Sequence, residues 1–143
     1  MLEIKHHIPD IDSYIRLRKN TGLSPRSRKA VELGLPNSLF AVTVYDEKVV
    51  GMGRVIGDGG CNYEVVDVAV EPEYQGKGLG RSVMEAIMTY LDKEAPESSY
   101  ISLIADVPAL YEKFGFGYYD RVSNYAGRSL VETQGERDSQ SRS

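Results

Sequence analysis

The spacing of apolar side chains changes several times along this chain, and each change marks an element. Residues 2–6 (LEIKH) alternate apolar with polar, which predicts a short strand. Ile11, Ile15 and Leu17 then share one side of a helix running to about Asn20, with Asp10 as its N-cap and Gly22 as its stop. Ser24 followed by Pro25 reads as a cap and a first-turn proline, opening a short second helix that Gly34 ends. SLFAVTVY (38–45) and VVGMGRVIG (49–57) are rich in β-branched and aromatic residues and are separated by Asp46, Glu47 and Lys48, which predicts a hairpin. After a GDGG turn (57–60), YEVVDVAV (63–70) is apolar almost throughout, as expected of a central strand covered on both faces.

The period then lengthens. Leu79, Val83, Met84, Ile87, Met88 and Leu91 form the stripe of an amphipathic helix that Pro96 closes, and YISLIA (100–105) follows as another apolar strand. A strand, helix, strand succession predicts a parallel crossover. Asp106 is placed to cap a short helix through about Phe114, Gly115 stops it, and weak strands near 116–120 and 125–132 finish the domain. Residues 131–143 read as a polar, frayed tail behind a single domain of residues 1–130. The whole is an α/β fold with a mixed central sheet flanked by helices.

Composition narrows the function classes. A chain of 143 residues with 41% apolar and 27% charged residues suits one soluble domain, and a net charge of −4 offers no general attraction to nucleic acid or to an anionic membrane. The lone Cys61 has no internal disulfide partner and no second cysteine at metal-ligand spacing, and His6 and His7 lack matching ligands, so no metal is expected. MLEIKHHIPD is too polar for a signal peptide, and no stretch approaches the roughly 18 apolar residues of a membrane span. The expectation is a cytoplasmic protein.

The stretch EYQGKGLGRSVMEAIMTYL (73–91) carries the candidate chemistry. Gly76, Gly78 and Gly80 stand at the mouth of a helix, where glycine is a poor helix former. Glycines there let another molecule approach the main chain, and a helix N-terminus supplies unpaired N–H groups and partial positive charge, so the stretch predicts an anion site, most often for phosphate. Gln75, Lys77 and Arg81 add donors on the same turn. Lys77 is followed by Gly78 and Leu79, leaving no hydroxyl for Mg²⁺ as a Walker loop requires; GKGLGR has Arg81 where a dinucleotide fingerprint needs its third glycine, and GMGRVI at 51–56 fails likewise.

QGKGLG does satisfy the pattern Q/R-x-x-G-x-G/A. Together with VDVAVEPEYQGKGLGRSVMEAI and the downstream ALYEKFGF (109–116), it resembles the GCN5-related N-acetyltransferases, the GNAT superfamily, over roughly residues 1–130. The resemblance implies a pair of parallel strands splayed at the cofactor site. It also implies acetyl-CoA as cosubstrate, its pyrophosphate held by main-chain groups of Gln75, Gly76, Lys77, Gly78, Leu79, Gly80 and Arg81. The pantetheine arm would lie along Val68, Ala69 and Val70, with one N–H there polarising the thioester. Tyr111 stands where the family's general acid commonly lies, although the asparagine that many relatives carry seven residues before it is Ile104 here.

Acetyl transfer to an amine needs a base, because an alkylammonium with a pKa near ~10 must lose a proton before it attacks. Glu64 is the preferred candidate, with Asp67 or a water chain as alternatives; strict alternation puts Glu64 and Asp67 on opposite faces of the strand unless a bulge intervenes. The acceptor is expected to be a primary amine of a small molecule or peptide, and a homodimer is possible. Arg16, Arg18, Lys19, Arg26, Arg28 and Lys29 concentrate positive charge in the first two helices, which suggests an acidic group on the acceptor or partner. The competing class is an acyl-CoA-binding module without catalysis.

Overall fold

The structure, a computed structural model, describes residues 1–105, 117–118 and 128–132. Among the described residues seven strands form one sheet in the order β1 (Glu3–Lys5), β2 (Phe40–Asp46), β3 (Lys48–Gly57), β4 (Asn62–Val70), β5 (Tyr100–Ala105), β7 (Arg128–Glu132), β6 (Gly117–Tyr118). β1 to β4 pair antiparallel in succession, and β4 and β5 pair parallel across α3 (Leu79–Glu94), the expected crossover. β4 is the middle strand of the seven. Asp106, the helix expected as far as Phe114, Gly115 and the tail beyond Glu132 lie outside the described residues.

Each face of the sheet has its own core. Val83, Met84, Ile87 and Leu91 of α3 are buried against Val42, Val50, Val55, Val65 and Leu103. α3 approaches the sheet tightly at Gly53, where a Cβ would stand 2.6 Å from Val83 Cγ1. On the other face α1 (Ile11–Asn20) and α2 (Arg28–Gly34) bury Tyr14, Leu17 and Val31 against Met52 and Ala69. Asp10 caps α1 as its sequence position implies, its Oδ2 accepting from Ser13 N–H at 3.0 Å.

The second helix departs from expectation. It begins at Arg28 under Ser27, whose Oγ accepts from Ala30 N–H at 3.1 Å, and not at the Ser24–Pro25 pair. The reason is a tertiary contact: the Ser24 carbonyl and hydroxyl oxygens are occupied by the guanidiniums of Arg18 and Arg26, so neither serves a helix.

Candidate active site

A bulge in β4 organises the site. Met52 of β3 faces Ala69 and Arg54 faces Val66, so Gly53 alone stands opposite both Asp67 and Val68. Asp67 takes the extra position with φ +58°, a left-handed conformation that aspartate tolerates better than most residues. The extra residue reverses the alternation. Tyr63 and Val65 belong to the α3 core, whereas Ala69, four residues past Val65, belongs to the α1 core. Glu64 and Asp67 therefore face the same side of the sheet, toward α1, and the opposite-face arrangement that regular alternation would give does not hold.

Their surroundings differ sharply. The Asp67 side chain is 8% exposed and receives three donors: Tyr14 OH on Oδ2 at 2.7 Å, Arg54 Nε on Oδ2 at 2.6 Å, and an Arg18 guanidinium nitrogen on Oδ1. Burial, and then the hydrogen bond to Asp67, raise the Tyr14 phenol above its ordinary value. Burial works to lower the Arg54 guanidinium, but the hydrogen bond and charge of Asp67 outweigh it and leave it raised. Both Asp67 oxygens are thus committed to binding the bulge to α1 and β3. Glu64 is half-buried and has no hydrogen-bond or ion-pair partner among the described residues.

The bulge coincides with the end of strand pairing on the other edge. The β4–β5 ladder runs from Asn62/Tyr100 to Val65/Leu103 and stops there, while β4 continues to Val70. Val68, Ala69 and Val70 thus lie on a stretch whose β5 side has no strand partner among the described residues, the splay expected of this pair. The Val70 carbonyl accepts from Gln75 Nε2 at 2.9 Å, so the Gln75 side chain ties the glycine-rich loop back to the strand.

That loop rises through a 3₁₀ turn (Pro72–Tyr74) into α3. Gly76 and Gly78 have φ of +80° and +81°, and a Cβ at either would meet nothing within 4 Å. Their glycines serve the backbone turn and leave open space above it. Gly78 is the N-cap of α3 and provides no side-chain cap. Ser82 N–H bonds to the Gly78 carbonyl at 3.0 Å, and the amides before it, on Leu79, Gly80 and Arg81, are the donors a helix start leaves unpaired. The first turn carries no acidic residue. Lys77 Nζ lies 5.0 Å from the centre of the Tyr74 ring, and exposed Arg81 pairs with Glu85 at 3.0 Å.

One expectation changes and one lies outside the described residues. Of the six cations in and between the first two helices three are spent, Arg18 on Asp67, Arg28 on Asp12 at 2.8 Å and Glu32 at 3.4 Å, and Arg16 on buried Glu71 at 3.5 Å, while Lys19, Arg26 and Lys29 have no ion-pair partner among the described residues. Tyr14 and Arg54, which sequence reasoning did not single out, belong to the centre of the site; their separations of 53 and 13 residues from Asp67 carry no local signal. Tyr111 lies outside the described residues. Among the described residues no group of three or more His, Cys, Asp or Glu is placed to hold a metal, and no helix is long and apolar enough to cross a membrane.

The frame defines the class: an α/β domain whose mixed sheet opens between parallel strands beside an uncapped, glycine-rich helix start. Comparison with known proteins places it further: residues 36–117 match the acetyltransferase (GNAT) domain model, and the chain belongs to the GNAT family. A crystal structure of a probable acetyltransferase from methicillin-resistant Staphylococcus aureus is similar with 50% identity and a TM-score of 0.80, over 87% of this chain and 96% of that one. A GNAT-family acetyltransferase from Streptococcus pneumoniae shares 26% identity at a TM-score of 0.66, over 82% of this chain and 88% of that one. An uncharacterized N-acetyltransferase, ycf52, of Pyropia yezoensis is 33% identical over 71% of this chain; the chain spans 61% of that relative's length.

Proposed function

We propose that the protein is an N-acetyltransferase that moves an acetyl group from acetyl-CoA to a primary amine of a small molecule or peptide by direct attack. The observation that carries the proposal is the uncapped start of α3 at Gly78, set next to a β4 edge that loses its strand partner after Val65. Unpaired amides with the positive end of a helix behind them suit a diphosphate, and the open space above Gly76 and Gly78 leaves room for it. The main chain from Gln75 to Arg81 binds the pyrophosphate of acetyl-CoA, with Lys77 and Arg81 adding charge. The main chain of Val68, Ala69 and Val70 aligns the pantetheine arm, and an N–H there stabilises charge developing on the thioester oxygen.

Glu64 is the base. Its carboxylate is unpartnered among the described residues and shares a face with the bulge, whereas Asp67 has its oxygens filled by three donors. A carboxylate already committed to two guanidiniums is a poor proton acceptor, so Asp67 acts as a fixed post for the bulge. Tyr111 supplies the proton to the leaving thiolate.

The test is calorimetry with coenzyme A and acetyl-CoA, followed by thiol release over a panel of amines. Tyr111→Phe and Glu64→Gln should keep coenzyme A binding and lower kcat by about 10²–10⁴-fold, the range of a lost general acid or base. Binding without turnover over the whole panel would leave an acyl-CoA-binding module in place of an enzyme.

A further inference from the structure

Beneath the link between α1 and α2 lies a cavity of about 350 Å³ lined by Ile15, Arg18, Lys19, Leu23, Pro25 and Arg26. We propose that it is a subsite for the anionic end of the acceptor, taking a carboxylate carried on an apolar stem. The inference rests on the acetyltransferase reading for the word acceptor, but the preference for an anion follows from the cavity alone.

Ser24 is the first observation. Its Oγ accepts from Arg26 Nη1 at 2.7 Å and from Arg18 Nη2 at 3.1 Å, which brings two guanidiniums onto one hydroxyl. Like charges this close repel, but Arg26 and Lys19 are exposed, so water screens this repulsion, and an anion drawn in would gain from both guanidiniums at once. Arg18 is matched by Asp67 on its far side; Arg26 has no carboxylate within ion-pair distance among the described residues, and neither has Lys19. With both lone pairs of the Ser24 hydroxyl used, its proton remains to be donated, and no acceptor for it occurs among the described residues. Lys19 and Arg26 thus line the cavity without a protein counter-ion among the described residues, with the Ser24 hydroxyl bonded to Arg26 beside it, in a protein whose net charge is −4.

The walls supply the rest of the selectivity. Ile15, Leu23 and Pro25 favour a hydrocarbon stem, and Arg26 is held in position by the Ser24 hydroxyl and the Pro25 carbonyl at 3.2 Å, so little ordering is left for binding to impose. Arg18 forms the wall shared with the bulge: one end lines the cavity and the other holds Asp67, on the face of β4 that carries Glu64. Arg18 thus connects the cavity to the side of β4 that carries Glu64.

The test uses the intact protein and two matched probe sets. In ligand-observed NMR, 3-phenylpropionate should bind about tenfold or more tightly than 3-phenylpropanamide, the scale of a charged hydrogen bond. The double variant Lys19→Met with Arg26→Met should lose that preference while keeping wild-type coenzyme A affinity by calorimetry. In turnover, 6-aminohexanoate should be acetylated with a KM about tenfold or more below that of 6-aminohexanamide, and the double variant should level the two. Equal binding of acid and amide, no binding of the acid, or a preference that survives in the double variant overturns the subsite. Acid binding without acetylation of either amine overturns the acceptor role, and coenzyme A calorimetry on the wild type then decides the acetyltransferase reading separately.

Discussion

Replacing Asp67 by alanine tests the claim that this carboxylate holds the bulge. The substitution leaves Arg18 and Arg54, whose side chains are 6% and 14% exposed, facing each other without a counter-ion. Breaking a buried pair by removing one partner costs about 3–5 kcal/mol, because the remaining charge stays desolvated. Alanine at φ +58° adds about 1–2 kcal/mol of left-handed strain. The expected loss is roughly 4–7 kcal/mol, a large part of the ~5–15 kcal/mol by which domains of this kind are stable. Asp67→Gly keeps the ionic loss and removes the strain, so it should unfold later than the alanine variant. Asp67→Asn retains the backbone preference and two hydrogen-bonding groups, and should be the mildest of the three. With no tryptophan in the chain, urea unfolding followed by far-ultraviolet circular dichroism is the assay. An alanine variant within about 1 kcal/mol of wild type, at unchanged slope, would refute the argument that this cluster fixes the bulge.

Two glycines should behave oppositely: Gly53→Ala pushes a methyl against Val83 and Ile87 and should cost about 1–3 kcal/mol with little effect on coenzyme A affinity, whereas Gly78→Ala meets open space but positive φ and should weaken that affinity, both readable from paired unfolding and calorimetry. Tyr14→Phe removes one donor to Asp67 and should cost about 0.5–1.5 kcal/mol in urea unfolding, with the residual carboxylate still held by both arginines. Asp58 accepts from the amides of Asn62, Gly60 and Cys61, which hold its carboxyl down at about 2 against an ordinary 3.8. A lowered pKa stabilises the fold above the ordinary value and loses that contribution as pH falls, so the Asp58→Asn variant should show a flatter stability profile between pH 3.8 and about 2 than wild type.

The elements of this protein were written locally. Period-two runs, the stripe from Leu79 to Leu91, and the Asp10 cap each depend on residues within a few positions of one another, so the strands around β4, the α3 crossover and the glycine-rich start of α3 were legible from order alone. The Ser24–Pro25 cap was not, because two arginine side chains compete for the serine oxygens and a cap is decided by whichever partner holds the oxygen. The face on which Asp67 lies was not legible either. One extra residue in β4 reverses the alternation, and that residue is kept there by Tyr14, Arg18 and Arg54 from distant parts of the chain. Sequence by itself determined which segments are strands and helices and where the glycine-rich turn into α3 falls, since these follow from side-chain period and backbone freedom. Only tertiary structure decided which charges are spent and which remain for a ligand, because the partner of a buried charge is set by packing across the sheet and not by neighbours along it.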